Sequence, residues 1–258
     1  MTLMPHLIFQ RGSGPIVAAA VHDGHDMRPR LEDRIAIDED QRLHEEDPYT
    51  GELAQVAKTQ IVGLRSRFEV DLNRPRDEAV YLDPEDAWGL KVWRQPPTEE
   101  MIEKSLQEYD AFYASVEELL KDLVEQYGHV AVYDLHSYNH RRGGVEADPD
   151  LNPEVNIGTG TMDRDYWGPV VDRFIHDLRE HKYHGRSLDV RENVKFQGGQ
   201  LSRWIHEKFP RQVCSLAIEF KKTFMDEWTG ETDPSEIEVI FDVLSSTLPG
   251  VREELEKL

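Results

Sequence analysis

Only one cysteine, Cys214, occurs in these 258 residues, and it lies inside an apolar run. An intrachain disulfide is therefore excluded, and a reducing cytoplasm is the expected compartment. Long hydrophobic runs are missing too: no stretch approaches the ~18 apolar residues of a membrane span. The N-terminus "MTLMPHLIFQRGSGP" lacks a basic segment followed by an apolar core, so neither export nor membrane insertion is expected. Basic residues are scarce, 30 against 51 acidic ones, for a formal net charge of −21. That balance argues against nucleic acid or an anionic membrane as partner. It also means that a small anionic substrate would need arginines placed locally against the overall field. No internal repeat or low-complexity tract is present. "NIGTG" lacks the Lys-Ser/Thr ending of a phosphate loop, and no Gly-x-Ser-x-Gly elbow marks a serine hydrolase.

What is present suffices for a buried sheet. Apolar residues make up 38% of the chain, concentrated in "PIVAAAV", "HVAVYDL" and "VCSLAIEF". With nothing resembling a linker, residues 1–258 are read as a single domain. Pro15 to Val21 reads as a strand that breaks at "HDGHD". Residues 28 to 50 suggest a short helix and an irregular acidic loop. Ala54 to Arg65 is expected to be a helix leading into a strand, "RFEVDLNRP", halted by Pro75. From Pro97 to Tyr127, apolar residues recur at three- and four-residue intervals up to Gly128, the clearest helix of the chain. "HVAVYDLHS" follows as a strand, then a polar loop containing "NPEVNIGTGTMD", a helix near Tyr166 to His181, and a loop ending in "FQGG". A helix over Gln200 to Lys208, the strand "QVCSLAIEF" and C-terminal helical segments complete the chain. Strands alternating with helices predict an α/β sheet covered on both faces, with ligands outside the carboxyl ends of its strands.

Four of the expected strands end in chemistry-bearing residues: His22, Asn73-Arg74, His136 and Glu219. Two imidazoles and a carboxylate with an open fourth position form a catalytic zinc site, but scattered histidines are more often turn or surface residues. In "HDGHD", His25 reads equally as a ligand or as a solvated neighbour of a turn. "RLHEEDPYTG" offers Glu45, Glu46 and Asp47, either as a solvated acidic loop or as the source of one ligand. A strand ending in Asn73 and Arg74 presents a fork suited to a carboxylate, unless the arginine is paired with a structural aspartate. Glu219 at the end of a buried strand is either a general base with a raised pKa or the partner of Lys221 or Lys222. "FQGG" reads as a tight turn, or as backbone N–H groups near an anion.

Taken in order, "VHDGH", "EEDPYTG", "VDLNRP", "YDLHSYNHRRGG", "VNIGTG", "FQGG" and "AIEFKKTFMDEWTG" resemble the N-formylglutamate amidohydrolase family, a relative of zinc carboxypeptidases and succinylglutamate desuccinylases, over about residues 15 to 230. The resemblance implies a mixed sheet flanked by helices, the zinc-carboxypeptidase-like (phosphorylase/hydrolase-like) α/β fold. It matches His22 and His136 to the first and last ligands of one Zn2+ ion, Asn73 and Arg74 to a grip on a substrate carboxylate, and Glu219 to the catalytic glutamate. The second ligand is assigned to Asp47, with Glu46 and His25 as alternatives, and Gly51 stands where a further aspartate is expected in relatives. Arg141 and Arg142, in the loop after His136, are candidates for a second substrate carboxylate. Ser137 and Tyr138 are read as supporting residues, and His140 has no assigned part. The activity implied is hydrolysis of a small anionic N-acyl amino acid, N-formylglutamate foremost. A zinc carboxypeptidase acting on short peptides and a metal-free binding protein on the same fold are the alternatives.

Overall fold

The computed structural model describes residues 6–141, 145 and 147–258. Its seven strands are β1 (Leu7–Gln10), β2 (Ile16–Ala20), β3 (Thr59–Gly63), β4 (Val130–Tyr138), β5 (Val155–Gly158), β6 (Val190–Glu192) and β7 (Val213–Lys221). They form one mixed sheet in the order β1-β3-β2-β4-β7-β5-β6. The central run β3-β2-β4-β7 is parallel, whereas β1 pairs antiparallel with β3 and β5 antiparallel with β7. The carboxyl ends of β2, β4 and β7 therefore lie along one edge of the sheet. The helices are α1 (Pro29–Glu32), α2 (Glu39–Glu45), α3 (Thr50–Leu53), α4 (Glu99–Tyr127), α5 (Arg164–Glu180), α6 (Gln200–Lys208), α7 (Pro234–Ser246) and α8 (Leu248–Leu255).

Alternation along the central strands sends side chains into two cores. Ala18, Ala20, Tyr133, Leu135, Leu216 and Ile218 pack with residues of α5, α7 and α8. Val17, Ala19, Val132 and Val213 face α4 and α6 instead. The long helix α4 matches its apolar periodicity: Tyr109, Phe112, Val116, Leu119, Leu120 and Leu123 are buried, Thr98 caps the start, and Gly128 ends it at φ 77°. A third, smaller core that includes Leu31, Ile37, Phe68, Tyr81 and Trp93 holds the loops around the sheet edge. Among the described residues, no helix is long and apolar enough to cross a membrane.

Two expectations fail between residues 54 and 75. The anticipated helix over Ala54 to Arg65 is one 3-10 turn, Ala54–Val56, followed by β3, and "RFEVDLNRP" is a series of turns and loop instead of a strand. The β-branched "TQIVG" pairs with both β1 and β2, and that pairing outweighs weak helical spacing. Likewise "VNIG", read as loop, is β5, whose apolar residues are covered by the core beside β7.

Candidate active site

His22 lies two residues past the end of β2, and His136 is the seventh residue of β4. Asp47 is in the connection between α2 and α3, its backbone N–H donating to the His22 carbonyl at 3.0 Å. One oxygen of Asp47, Oδ2, meets His136 Nδ1 at 2.9 Å and His22 Nδ1 at 3.3 Å. All three side chains are buried, and their ligand atoms lie within 4.8 Å of one another. Of the other two acids of that segment, Glu45 lines the same cavity and Glu46 points elsewhere. Glu46 receives Ser66 Oγ–H and pairs with His25 Nδ1 at 2.6 Å, so Glu46 and His25 satisfy each other away from the cluster.

The outer nitrogen of each imidazole faces a further carboxylate. His22 Nε2 is 2.7 Å from Asp71 Oδ1, and His136 Nε2 is 3.0 Å from Asp134 Oδ1. Asp71 is itself held by Arg67 Nη2 at 2.9 Å and by the Tyr81 hydroxyl, which donates to it. Carboxylates placed this way fix the Nε2–H tautomer and turn the Nδ1 lone pairs inward. In that tautomer two lone pairs would face Asp47 Oδ2, an arrangement that needs a proton or a cation among the three groups. The donor set, two imidazole nitrogens and one carboxylate, suits a divalent ion such as zinc. The charges answer accordingly. Burial raises the Asp47 carboxyl, but His136 and His22 outweigh it and hold it far below the carboxylate range. Burial lowers the His136 imidazole, and Asp134 and Asp47 more than reverse that.

Glu219 on β7 is in register with His136 on the neighbouring parallel strand, so both side chains leave the same face of the sheet. Burial pushes its carboxyl up to about 7, with the charge of His136 opposing the rise. Neither Lys221 nor Lys222 pairs with it among the described residues. Lys222 Nζ donates instead to the carbonyls of His44 at 2.8 Å and Glu46 at 2.6 Å.

A cavity of about 420 Å³ opens over these groups, and His22, Asp47, His136, Asn73, Arg74 and Glu219 all line it. Asn73 has more to do than face a substrate. Its Oδ1 accepts the Leu201 N–H at 2.9 Å at the start of α6, and its Nδ2 sits 3.1 Å from His136 Nε2. Gly199 of "FQGG" passes so close that a Cβ there would lie 2.2 Å from the Asn73 amide. The four residues of "FQGG" thus form cavity wall, with Gly199 against Asn73 and the Phe196 N–H donating to Asn156 Oδ1 at 3.4 Å. Among the described residues Arg74 makes long contacts, to the Asp86 carbonyl at 3.3 Å and to Glu78 at 4.0 Å, and its guanidinium lies 5.7 Å from the Tyr81 ring centroid. Ser137 and Tyr138 are also in the wall.

Arg141 is not part of the cavity wall. Its guanidinium reaches Asp226 at 3.3 Å and its backbone N–H donates to Glu227. Arg142 lies outside the described residues. His140, also off the wall, has Nδ1 2.7 Å from Glu227. The cations that do line the cavity besides Arg74 are Arg67, Lys195 and Lys222.

A sequence model of N-formylglutamate amidohydrolase matches residues 14–225. The chain belongs to the N-formylglutamate amidohydrolase family. A curated relative, the N-formylglutamate deformylase of Pseudomonas aeruginosa, is 25% identical over 98% of this chain and 95% of its own length. Among solved structures, the N-formylglutamate amidohydrolase of Ralstonia eutropha superposes with a TM-score of 0.79 at 18% identity, covering 98% of this chain and 99% of that one. A gene product of Agrobacterium tumefaciens gives 0.71 at 16% identity, covering 97% and 96%. At such identities the two structures speak for the fold alone.

Within this member of the family, the residues that sequence reading passed over are Asp71, Asp134, Arg67 and Tyr81. Asp134 had a signal, since it stands two residues before His136 and strand periodicity puts both on one face. Tyr81 had none, because only the loop packing brings its hydroxyl to Asp71. Gly51 has a local reason. Its N–H donates to Asp23 Oδ1 at 2.8 Å, and a Cβ there would lie 2.4 Å from Asp23 Oδ2, so an aspartate at this position would require the Asp23 carboxylate to move.

Proposed function

We propose that the protein is a metal-dependent amidohydrolase that removes a small N-acyl group, formyl foremost, from an acidic amino acid such as glutamate. The observation that carries the reading is the convergence of His22 Nδ1 and His136 Nδ1 on Asp47 Oδ2, each imidazole backed by a carboxylate, in the cavity that also holds Glu219. The name of the Pseudomonas aeruginosa relative, a deformylase of N-formylglutamate, supports the choice of substrate.

His22, Asp47 and His136 would hold the ion. A divalent ion such as zinc supplies a Lewis acid for the scissile carbonyl and lowers the pKa of water toward neutrality. Glu219, ionised, takes a proton from the attacking water and returns it to the departing amine nitrogen as the C–N bond breaks. The products are formate and the free amino acid. Arg74 is the proposed anchor for a substrate carboxylate: it lines the wall, and its contacts among the described residues are long. Asn73 contributes mainly by fixing the start of α6 and the "FQGG" wall beside that anchor. For a second substrate carboxylate, Lys195 replaces Arg141 as the candidate, since it lines the cavity while Arg67 is held by Asp71 and Lys222 by two backbone carbonyls.

The test is a panel of N-acyl amino acids and dipeptides given to chelator-treated protein with and without added zinc. Formate release from N-formylglutamate that depends on the metal is the expected result. Amino-acid release from dipeptides without deformylation would identify a carboxypeptidase instead, and a protein that binds no divalent metal would be a binding protein on this fold.

A further inference from the structure

Lys222 is 1% exposed, one of the largest side chains buried so completely, although it carries an ammonium group. Taking an ammonium out of water costs several kcal/mol, so it persists only where partners compensate. Its partners are unusual in kind. Nζ crosses from the end of β7 to the last turn of α2 and donates to two backbone carbonyls, His44 at 2.8 Å and Glu46 at 2.6 Å, the residue directly before Asp47. Carbonyls at a helix C-terminus lack partners within the helix and carry partial negative charge, which suits a cation.

The segment being held needs holding. Asp47 sits between two short helices, with Glu46 extended before it and Tyr49 at φ 69° after it, and no strand pairing runs through it. Its backbone is fixed at three points: the Asp47 N–H donates to the His22 carbonyl, Thr50 Oγ donates to the Asp47 carbonyl at 2.6 Å, and Lys222 grips the carbonyls just upstream. Asn139 Nδ2 donates to the same His44 carbonyl at 2.8 Å. Because Lys222 is the third residue after Glu219, one side chain ties the strand bearing Glu219 to the loop bearing Asp47.

We infer that Lys222 is a positioning residue for the metal site, clamping the α2 C-terminus so that Asp47 Oδ2 stays within reach of both histidines. The inference rests on the proposed metal-binding function and deepens it. Zinc affinity, measured on the full chain by competition with a chromophoric chelator, tests it. Lys222→Met is expected to weaken zinc binding at least tenfold, and Lys222→Arg, which keeps a charged donor, to recover most of the loss. Thr247→Val serves as the control for general destabilisation. It removes a buried hydroxyl on the Tyr133 hydroxyl, remote from the cavity, and should lower thermal stability while leaving zinc affinity at the wild-type value. Wild-type zinc affinity in Lys222→Met would overturn the inference and leave the proposed function standing; failure of the wild-type protein to bind zinc would overturn both. Should Lys222→Met not fold, Lys222→Gln, which drops the charge and keeps a donor, is read by the same criteria.

Discussion

His136 and Glu219 stand opposite one another on adjacent parallel strands, β4 and β7, with side chains on the same face of the sheet. Neighbouring parallel strands hold such a pair at a spacing fixed by the ladder, about 4.8 Å between backbones. The imidazole proposed to hold the metal and the proposed general base are thereby set side by side without help from a loop. Substituting Glu219→Gln keeps shape and removes the base. Turnover should fall at least a hundredfold while zinc content stays at the wild-type value, as measured by metal analysis alongside formate release. Normal turnover would remove Glu219 from that role.

The carboxylates behind the histidines should matter almost as much as the ligands. Asp134→Asn and Asp71→Asn each replace a charged group that can only accept by a neutral amide that can also turn an N–H donor toward Nε2, loosening the hold on the Nε2–H tautomer, and each should weaken zinc affinity by about ten- to a hundredfold. Asp71→Asn should also loosen Arg67 and Tyr81, which both bond to that carboxylate. Titration with a competing chelator measures the first effect.

Arg74 and Arg141 should part company in kinetics. Loss of a charged hydrogen-bonding anchor worth about 1.5–3 kcal/mol predicts that Arg74→Ala raises KM for N-formylglutamate roughly ten- to a hundredfold with a smaller change in kcat. Arg141→Ala, whose guanidinium is spent on Asp226, should leave both constants near wild type. Equal effects of the two substitutions would count against the cavity assignment.

Acid sensitivity has an identifiable contributor far from substrate chemistry. His206 is a buried residue of α6, where Nε2 accepts the Ser215 N–H at 3.0 Å and Nδ1 faces Thr161 Oγ1 at 3.0 Å, and burial pushes its pKa down to about 4. Folded protein thus keeps His206 neutral where the unfolded chain, titrating near 6.5, already takes up a proton. Its stabilising contribution is complete above about 6.5 and is lost as pH falls toward about 4, at up to about 1.4 kcal/mol per pH unit. His206→Gln should be less stable at pH 7 yet lose stability less steeply between those limits, as read by urea denaturation at several pH values. Parallel slopes for the two proteins would disprove the assignment.

The sequence by itself determined the local framework. The spacing in α4, the apolar runs of β2, β4 and β7, and the polar residues closing them follow from side-chain periodicity and burial, which are properties of short stretches. They are enough to place His22, His136 and Glu219 at one sheet edge. Tertiary structure decided which residue joins the histidines: the resemblance points to Asp47 with Glu46 and His25 as alternatives, and only packing turns Glu46 toward Ser66 and His25. It also decided that "VDLNRP" is a loop, since pairing across the sheet edge was already taken by "TQIVG". The same holds for the cations: Arg141 lies five residues from His136, yet its guanidinium reaches Asp226, while Lys222, eighty-six residues from His136 in sequence, reaches the cavity wall because β7 pairs with β4. Contacts between distant segments depend on the closing of the whole sheet, and no short stretch encodes them.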